Sequence, residues 1–286
     1  MNDFFNEVIQ RYSKTAYLLS ASTVSGGCIN NTYKLETSEG PLFLKWNSAS
    51  SMSMFECEKK GLDLLDQHSI ISTPKVLSYG QISNKSYLLL EWIEKEPQSS
   101  DFWGDFAHNL ASQHRVSSPW FGLDHDNFIG SLEQSNKQYS TWHEFFIKER
   151  LIPQLKLAES KNLIDKTHLN RFEILFSKLE SLVPKESPSL LHGDLWSGNF
   201  MCGADGKAVI FDPSIHFGHR ETELSFTKLF GGFSSEFYAE YESTFVLEPG
   251  FEERLEIHNL YPLLVHVNLF GSSYLSEINQ TLKRFT

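Results

Sequence analysis

The residues of this chain best suited to chemistry lie in two short stretches, LLHGDLWSGNF at 190–200 and AVIFDPS at 208–214. Asp194 precedes Asn199 by five positions, and Asp212 follows Asn199 by thirteen. In each stretch an apolar run that reads as a buried segment breaks off at polar residues, so two strand ends deliver three oxygen-bearing side chains. A hard cation such as Mg²⁺ favours carboxylate, amide-carbonyl and phosphate oxygens, which suits Asn199 and Asp212. Asp194 is left for another role. With an ordinary pKa near ~3.9 it is ionised and can accept the proton of an attacking hydroxyl. One base and two metal-holding oxygens are what a protein contributes to phosphoryl transfer, where positioning and charge neutralisation do most of the catalysis. Asp, Asn and Gly also build ordinary turns. The order in which all of them occur here argues for the chemistry.

The same Asp-x-x-x-x-Asn loop followed by an Asp runs through the kinase catalytic loop and its metal-binding Asp, so a nucleotide-binding half is expected elsewhere in the chain. Lys45, in the strand-like PLFLKW, is the candidate for the α- and β-phosphates, the alternative being a solvent-facing strand lysine with Leu44 and Trp46 turned inward. Its partner would be a Glu of the helix-like segment 52–67. Glu58 is favoured because Leu62 and Leu65 follow it at +4 and +7 on one face, and Glu56 is the second choice. Gly26 and Gly27, in VSGGCINNTY, could cover phosphates through backbone N–H groups or form a plain turn. The stretch Glu91, Trp92, Ile93 offers a carbonyl and an N–H to adenine, or is simply a linker. Cys28 beside the glycines is either a redox-responsive thiol or a small loop residue without a role.

Several elements must position these groups. Strand-like runs at 17–24, 32–37, 41–46 and 86–93, with the helix between the last two, make a small sheet with one helix. Beyond residue 97, helical periodicity takes over: Phe102, Phe106 and Leu110 behind a Ser100 or Asp101 cap, then 141–159 with a kink at Pro153, then 167–182. From 251 the pattern is helical again, with breaks expected at Pro262 and Gly271. The fold class is therefore α+β, in two lobes: a β-rich nucleotide-binding lobe over 1–92 and a mostly helical catalytic and substrate lobe over 93–286.

Composition narrows the partners. Aromatics make up 14% of the 286 residues, ample for a core, and a net charge of −11 without a basic run would repel nucleic acid. Three cysteines at unpatterned spacings fit neither a disulfide framework nor a metal motif, which points to a reducing compartment. MNDFFNEVIQRYSK has no signal-peptide pattern, and no run approaches ~18 apolar residues, so a cytoplasmic protein without a membrane partner is expected.

Taken together, the segments GGCIN (26–30), FLK (43–45), MFECE (54–58), DNFIGS (126–131), LLHGDLWSGN (190–199), FGHRETEL (217–224), LFGGF (229–233) and NLFGSSY (268–274) resemble the fructosamine kinase family, also called ketosamine 3-kinases, within the protein-kinase-like, aminoglycoside-phosphotransferase-like fold. The resemblance runs nearly end to end. It implies ATP- and Mg²⁺-dependent phosphorylation of the 3-hydroxyl of a ketosamine, whose unstable 3-phosphate breaks down to free the amine, a deglycation reaction. It also implies Asp194 as catalytic residue, Asn199 and Asp212 as metal ligands, Lys45 and Glu58 as the ion pair of the nucleotide lobe, and 91–93 as hinge. For the acceptor, Trp196 could stack on a sugar face and His266 could join it, although both types are common in cores. Gln134, Asn136 and Trp142 also fall in a family-like stretch, without an assignable role. Departures are Ser214, His216, Phe217 and Glu223, the last standing where the family tends to have Asp; they bear on substrate preference and local packing. The alternatives are another small-molecule kinase of this fold, acting on an aminoglycoside, choline or sugar, and a nucleotide-binding protein without transfer activity. Either a monomer or a homodimer is compatible with the sequence.

Overall fold

A computed structural model describes residues 1–25 and 29–286. In chain order the elements are α1 (Asn2–Tyr12), β1 (Leu18–Thr23), β2 (Asn31–Thr37), β3 (Gly40–Ser48), α2 (Met52–His68), β4 (Val76–Ile82), β5 (Lys85–Glu91), α3 (Phe102–His114), β6 (Asn127–Ile129) and β7 (Leu132–Gln134). There follow α4 (Trp142–Phe145), α5 (Ile152–Ser160), α6 (Lys166–Leu182), β8 (Ser189–Leu191), β9 (Phe200–Cys202), β10 (Ala208–Ile210), β11 (His216–Gly218), α7 (Arg220–Leu229), α8 (Ser235–Thr244), α9 (Phe251–Phe270) and α10 (Leu275–Phe285). Packing divides them into two compact units, Met1–Phe106 with Gly198–Pro213, and Ala107–Ser197 with Ser214–Thr286. A functional division at 92/93 is a different cut from this one.

The first unit is built on an antiparallel sheet in the order β1-β2-β3-β5-β4. Alternation along a strand sends successive side chains to opposite faces, and here both faces are covered. Leu42, Leu44 and Leu89 pack with Phe4, Phe5, Val8 and Ile9 of α1. Leu88 and Leu90 pack with Phe55 and Leu62 of α2, and Phe43 leans on the same cluster. Each such buried side chain contributes roughly 1.5–3 kcal/mol. The sheet therefore carries two helices rather than the one expected. The apolar pairs Phe4-Phe5 and Val8-Ile9, four residues apart, are the helical signal in the N-terminal stretch. Strand β4 is not among the expected strands either: it lies at the edge of the sheet, is only partly buried, and is bulged between Val76 and Ser78, so its sequence alternates poorly. After β5 the chain joins the hairpin β9–β10, where Glu96 N–H donates to the Cys202 carbonyl (3.1 Å) and Ser99 N–H to that of Gly206 (3.2 Å). Phe102 and Phe106 close this junction against Phe200.

The second unit is mostly helical, with a core drawn from α4, α5, α6, α9 and α10. Pro153 does not interrupt its helix sharply, because a π-helical segment, Phe146–Leu151, precedes it. The wider turn accommodates a residue that has no N–H and whose ring crowds the preceding turn. Pro262 breaks nothing: α9 runs through it to Gly271, which ends the helix with φ +99°. Burial of Leu260, Leu263 and Leu264 on either side of Pro262 offsets the one backbone bond it removes.

Candidate active site

The chemistry-bearing residues fall into two groups, one in each unit. In the first, alternation puts Lys45 on the face of β3 that meets α2, opposite to Leu44. Its neighbours thus point inward as the solvent-facing alternative supposed, but Lys45 meets a second covered face, and it is buried, at 4% exposure. Its Nζ donates to Glu58 Oε1 at 2.6 Å and forms a second ion pair with Asp212 Oδ1. Glu56 pairs instead with Lys60, one turn on along α2. Burial alone would pull the Lys45 ammonium down, but the Asp212 and Glu58 carboxylates leave it raised and firmly charged. Burial pushes the Glu58 carboxyl up, against the pull of Lys45.

Asn199 and Asp212 come from one hairpin. Phe200 lies opposite Ile210, and Phe211 N–H donates to the Asn199 carbonyl at 3.1 Å. Antiparallel pairing therefore brings Asn199, just before β9, and Asp212, just after β10, out at the same end. Asn199 is buried, the Asp212 side chain is 42% exposed, and Asp212 has φ +58°, a left-handed conformation that Asp tolerates better than most residues. An amide and a carboxylate oxygen at one hairpin end are a donor set that fits a hard divalent cation.

Glu91 is the last residue of β5 paired to β3, opposite Leu42, and its carboxylate accepts the Lys75 N–H at 3.0 Å. Trp92 bonds through Nε1 to Glu94 (2.8 Å) and carries the Lys34 ammonium 4.6 Å from its ring centre. Ile93 packs over Gly203, where a Cβ would come within 3.2 Å of its methyl group. Gly26, Gly27 and Cys28 lie outside the described residues.

In the second unit Asp194 follows β8 in a loop whose shape depends on Gly193. That residue has φ +83°, and a Cβ there would stand 2.0 Å from the Ser214 carbonyl oxygen, so the loop requires glycine. The residue that holds the loop is one that sequence reasoning marks only as a departure. Glu223, on α7, accepts the His192 N–H at 2.8 and 3.0 Å and the Gly193 N–H at 3.4 Å, and lies 3.3 Å from His114 Nε2. His114 is fixed in turn by the Tyr241 hydroxyl at 2.7 Å. A carboxylate among backbone donors makes strong charge-assisted bonds. Glu223→Ala is therefore expected to lose about 1–3 kcal/mol of stability. Its kcat should fall by ~10- to 100-fold through misplacement of Asp194, with KM for ATP unchanged; a kcat equal to wild type in thermal-melt and steady-state assays would refute this positioning role.

Asp194 lines a cavity with Arg150, His216, Tyr261 and His266. Burial and the Arg150 charge push His216 far down, so it is neutral, and burial likewise lowers His266. His266 and Trp196 both contact Phe230, with ring centres at 4.8 and 6.3 Å respectively. Gly232 lies so close to Ser197 that a Cβ would approach its side chain to 2.4 Å, which lays the LFGGF turn against the loop after Asp194. The three family-like residues without a role now have places. Gln134 accepts the Tyr261 hydroxyl at 2.5 Å, Asn136 accepts Arg150 Nη2 at 2.7 Å, and Trp142 forms part of the cavity wall. The GHRE segment is structural: Arg220 forks onto Glu186 (2.9 and 2.8 Å), and Glu221 is gripped by Arg254 (2.8 and 2.5 Å). Burial would raise the Glu221 carboxyl, but Arg254 and His258 bring it down to about 2.

Fold and site define an ATP-dependent phosphotransferase of the protein-kinase-like class. A spectinomycin phosphotransferase shares the fold, with TM-score 0.59 and 15% identity over 99% of this chain and 93% of the other. A model of the fructosamine kinase family matches residues 1–286, and the chain belongs to that family. Among relatives, a probable ketoamine kinase of Enterococcus faecium is 40% identical over 92% of this chain and 94% of its own. A chloroplastic protein-ribulosamine 3-kinase of Oryza sativa subsp. indica is 35% identical over 92% and 78%. A solved structure from Haemophilus somnus, provisionally named a fructosamine-3-kinase, superposes with TM-score 0.87 at 29% identity, over 98% of this chain and 96% of the other. No helix among the described residues is long and apolar enough to cross a membrane.

Proposed function

We propose that the protein transfers the γ-phosphoryl group of ATP to the 3-hydroxyl of a ketosamine, the adduct of a sugar and an amine. The observation that carries this reading is the buried Lys45 ammonium between Glu58 and Asp212, in a chain whose relatives are named ketoamine and ribulosamine kinases. Lys45, oriented by Glu58, donates to phosphate oxygens. Asn199 and Asp212 would hold Mg²⁺, which when bound neutralises the charge of the triphosphate. Asp194 takes the proton of the acceptor hydroxyl as its oxygen attacks the γ-phosphorus, the bond to the β-phosphate oxygen breaks and ADP leaves, and the acceptor becomes a phosphate ester whose breakdown frees the amine. Gly26, Gly27 and the stretch Glu91, Trp92, Ile93 serve the nucleotide, and Trp196 and His266 the acceptor. Residues 1–92 form the nucleotide lobe and 93–286 the catalytic lobe, in a cytoplasmic protein active as a monomer or homodimer.

The test is ADP release from MgATP with a fructosyl-amine, a ribulosyl-amine, an aminoglycoside and choline. Turnover confined to the two ketosamines is the expected result and ranks the sugars. Turnover only with the aminoglycoside or choline would replace the acceptor, and nucleotide binding without turnover on any of them would remove the transfer activity.

A further inference from the structure

Among the described residues three arginines are deeply buried, and two of them are neutralised in the usual way: Arg220 on Glu186, and Arg254 on Glu221. Arg150, the most buried of the three at 1% exposure, is held differently. Its Nη1 donates to the backbone carbonyls of Ser135 (2.6 Å) and Glu149 (3.2 Å), and its Nη2 to the side-chain carbonyl of Asn136 (2.7 Å). All three acceptors are neutral oxygens. The Nε–H finds no acceptor among the described residues. Rings of Phe145 and Tyr261 lie 4.5 and 5.6 Å from the guanidinium carbon, which favours the cation but accepts no conventional hydrogen bond.

A buried guanidinium with an unspent donor is costly unless something arrives to use it. The side chain is nevertheless firmly placed, because Asn136 is itself buried and donates to the Asn127 side chain (3.0 Å) and the His125 carbonyl (3.1 Å). What this rigid group faces is the cavity that Asp194 lines. Of the other polar groups there, Tyr261 has given its proton to Gln134, and the Glu223 carboxylate is taken up by the loop amides and His114. Trp142 Nε1 and His258 Nδ1 also find no partner among the described residues, but neither is a guanidinium.

We propose that Arg150 is the specificity-determining residue of this cavity, donating its unspent N–H to an oxygen of the acceptor while Asp194 receives the proton of the reacting hydroxyl. The inference rests on the ketosamine reading and deepens it: the cavity selects an oxygen-rich acceptor by a cationic donor. Burial lowers the Arg150 guanidinium only to about 10, so it stays charged throughout the working range.

The test compares wild type with Arg150→Gln and Arg150→Lys on the better ketosamine of the acceptor panel. A lost hydrogen bond to a charged donor corresponds to a rise of about 10- to 100-fold in KM for the ketosamine. KM for ATP should stay within about threefold, and the melting temperature without ligands should not fall, because an uncompensated buried cation has been removed. Arg150→Lys keeps the charge without the fork and should recover part of the loss. Stabilisation by the ketosamine in a thermal melt, present for wild type, should vanish in Arg150→Gln. An unchanged ketosamine KM in a folded variant overturns the proposal, and so does failure of both variants to fold, which would make Arg150 a core residue. Wild-type protein that turns over no ketosamine defeats the acceptor reading and this inference together, whereas normal wild-type turnover with an unaltered variant defeats the inference alone.

Discussion

Asp194→Asn should lower kcat by about a thousandfold while leaving the affinity for MgATP unchanged. General-base catalysis contributes ~10²–10⁴-fold, and Asn keeps the shape of the side chain while removing its ability to take a proton. The change leaves in place Gly193 and the Glu223 carboxylate, which shape the loop. The contrast with Glu223→Ala is informative: that variant should lose stability as well as rate, and Asp194→Asn only rate. ADP release gives the kcat, and titration of a fluorescent ATP analogue with Mg²⁺ gives the affinity. Turnover within tenfold of wild type would remove Asp194 as the base.

Lys45→Met should be damaged twice over. Loss of a preorganised charge on the phosphates costs ~10²–10³ in turnover. Loss of the cation also leaves the buried Glu58 carboxylate without its partner, a change that typically destabilises by about 3–5 kcal/mol. The two effects can be separated. Adding Glu58→Leu removes the stranded carboxylate and places an apolar side chain beside Phe55 and Leu62 of α2, so most of the lost stability should return. Turnover should stay lost. A double variant no more stable than Lys45→Met alone would show that the destabilisation has another origin, and a Lys45→Met protein with wild-type kcat/KM for ATP would remove Lys45 from nucleotide handling.

Much of this arrangement can be read from the chain because the relevant residues violate local pattern. Asp194, Asn199 and Asp212 interrupt apolar runs, Lys45 interrupts a strand of Leu and Phe, and the spacing of Leu62 and Leu65 marks the face of α2 that carries Glu58. The parts that escape such a reading obey no local rule. Glu223 reads only as a departure from the family pattern that bears on local packing, and only the fold shows that two backbone amides and His114 await it. Arg150 reads as one charge in FIKERL, and its burial comes from a π-helical segment that sequence periodicity cannot announce. Strand β4 escapes because an edge strand needs to satisfy one neighbour only.

The composition of the first unit has a consequence for synthesis. Lys45 and Asp212 form one ion pair across 167 residues of sequence, and the hairpin that carries Asp212 closes onto elements made long before it. At roughly 5–20 residues per second, Lys45 waits on the order of ten to thirty seconds on the ribosome before its second carboxylate exists. During that interval the sheet already has α1 and α2 on its faces, but Phe102 and Phe106 lack Phe200, and Ser72 lacks the Ile210 N–H that bonds to its carbonyl at 3.0 Å. The nascent N-terminal portion is therefore an unfinished body with an open apolar seam, and a gene fragment ending before residue 200 encodes a unit that lacks the hairpin needed to complete it.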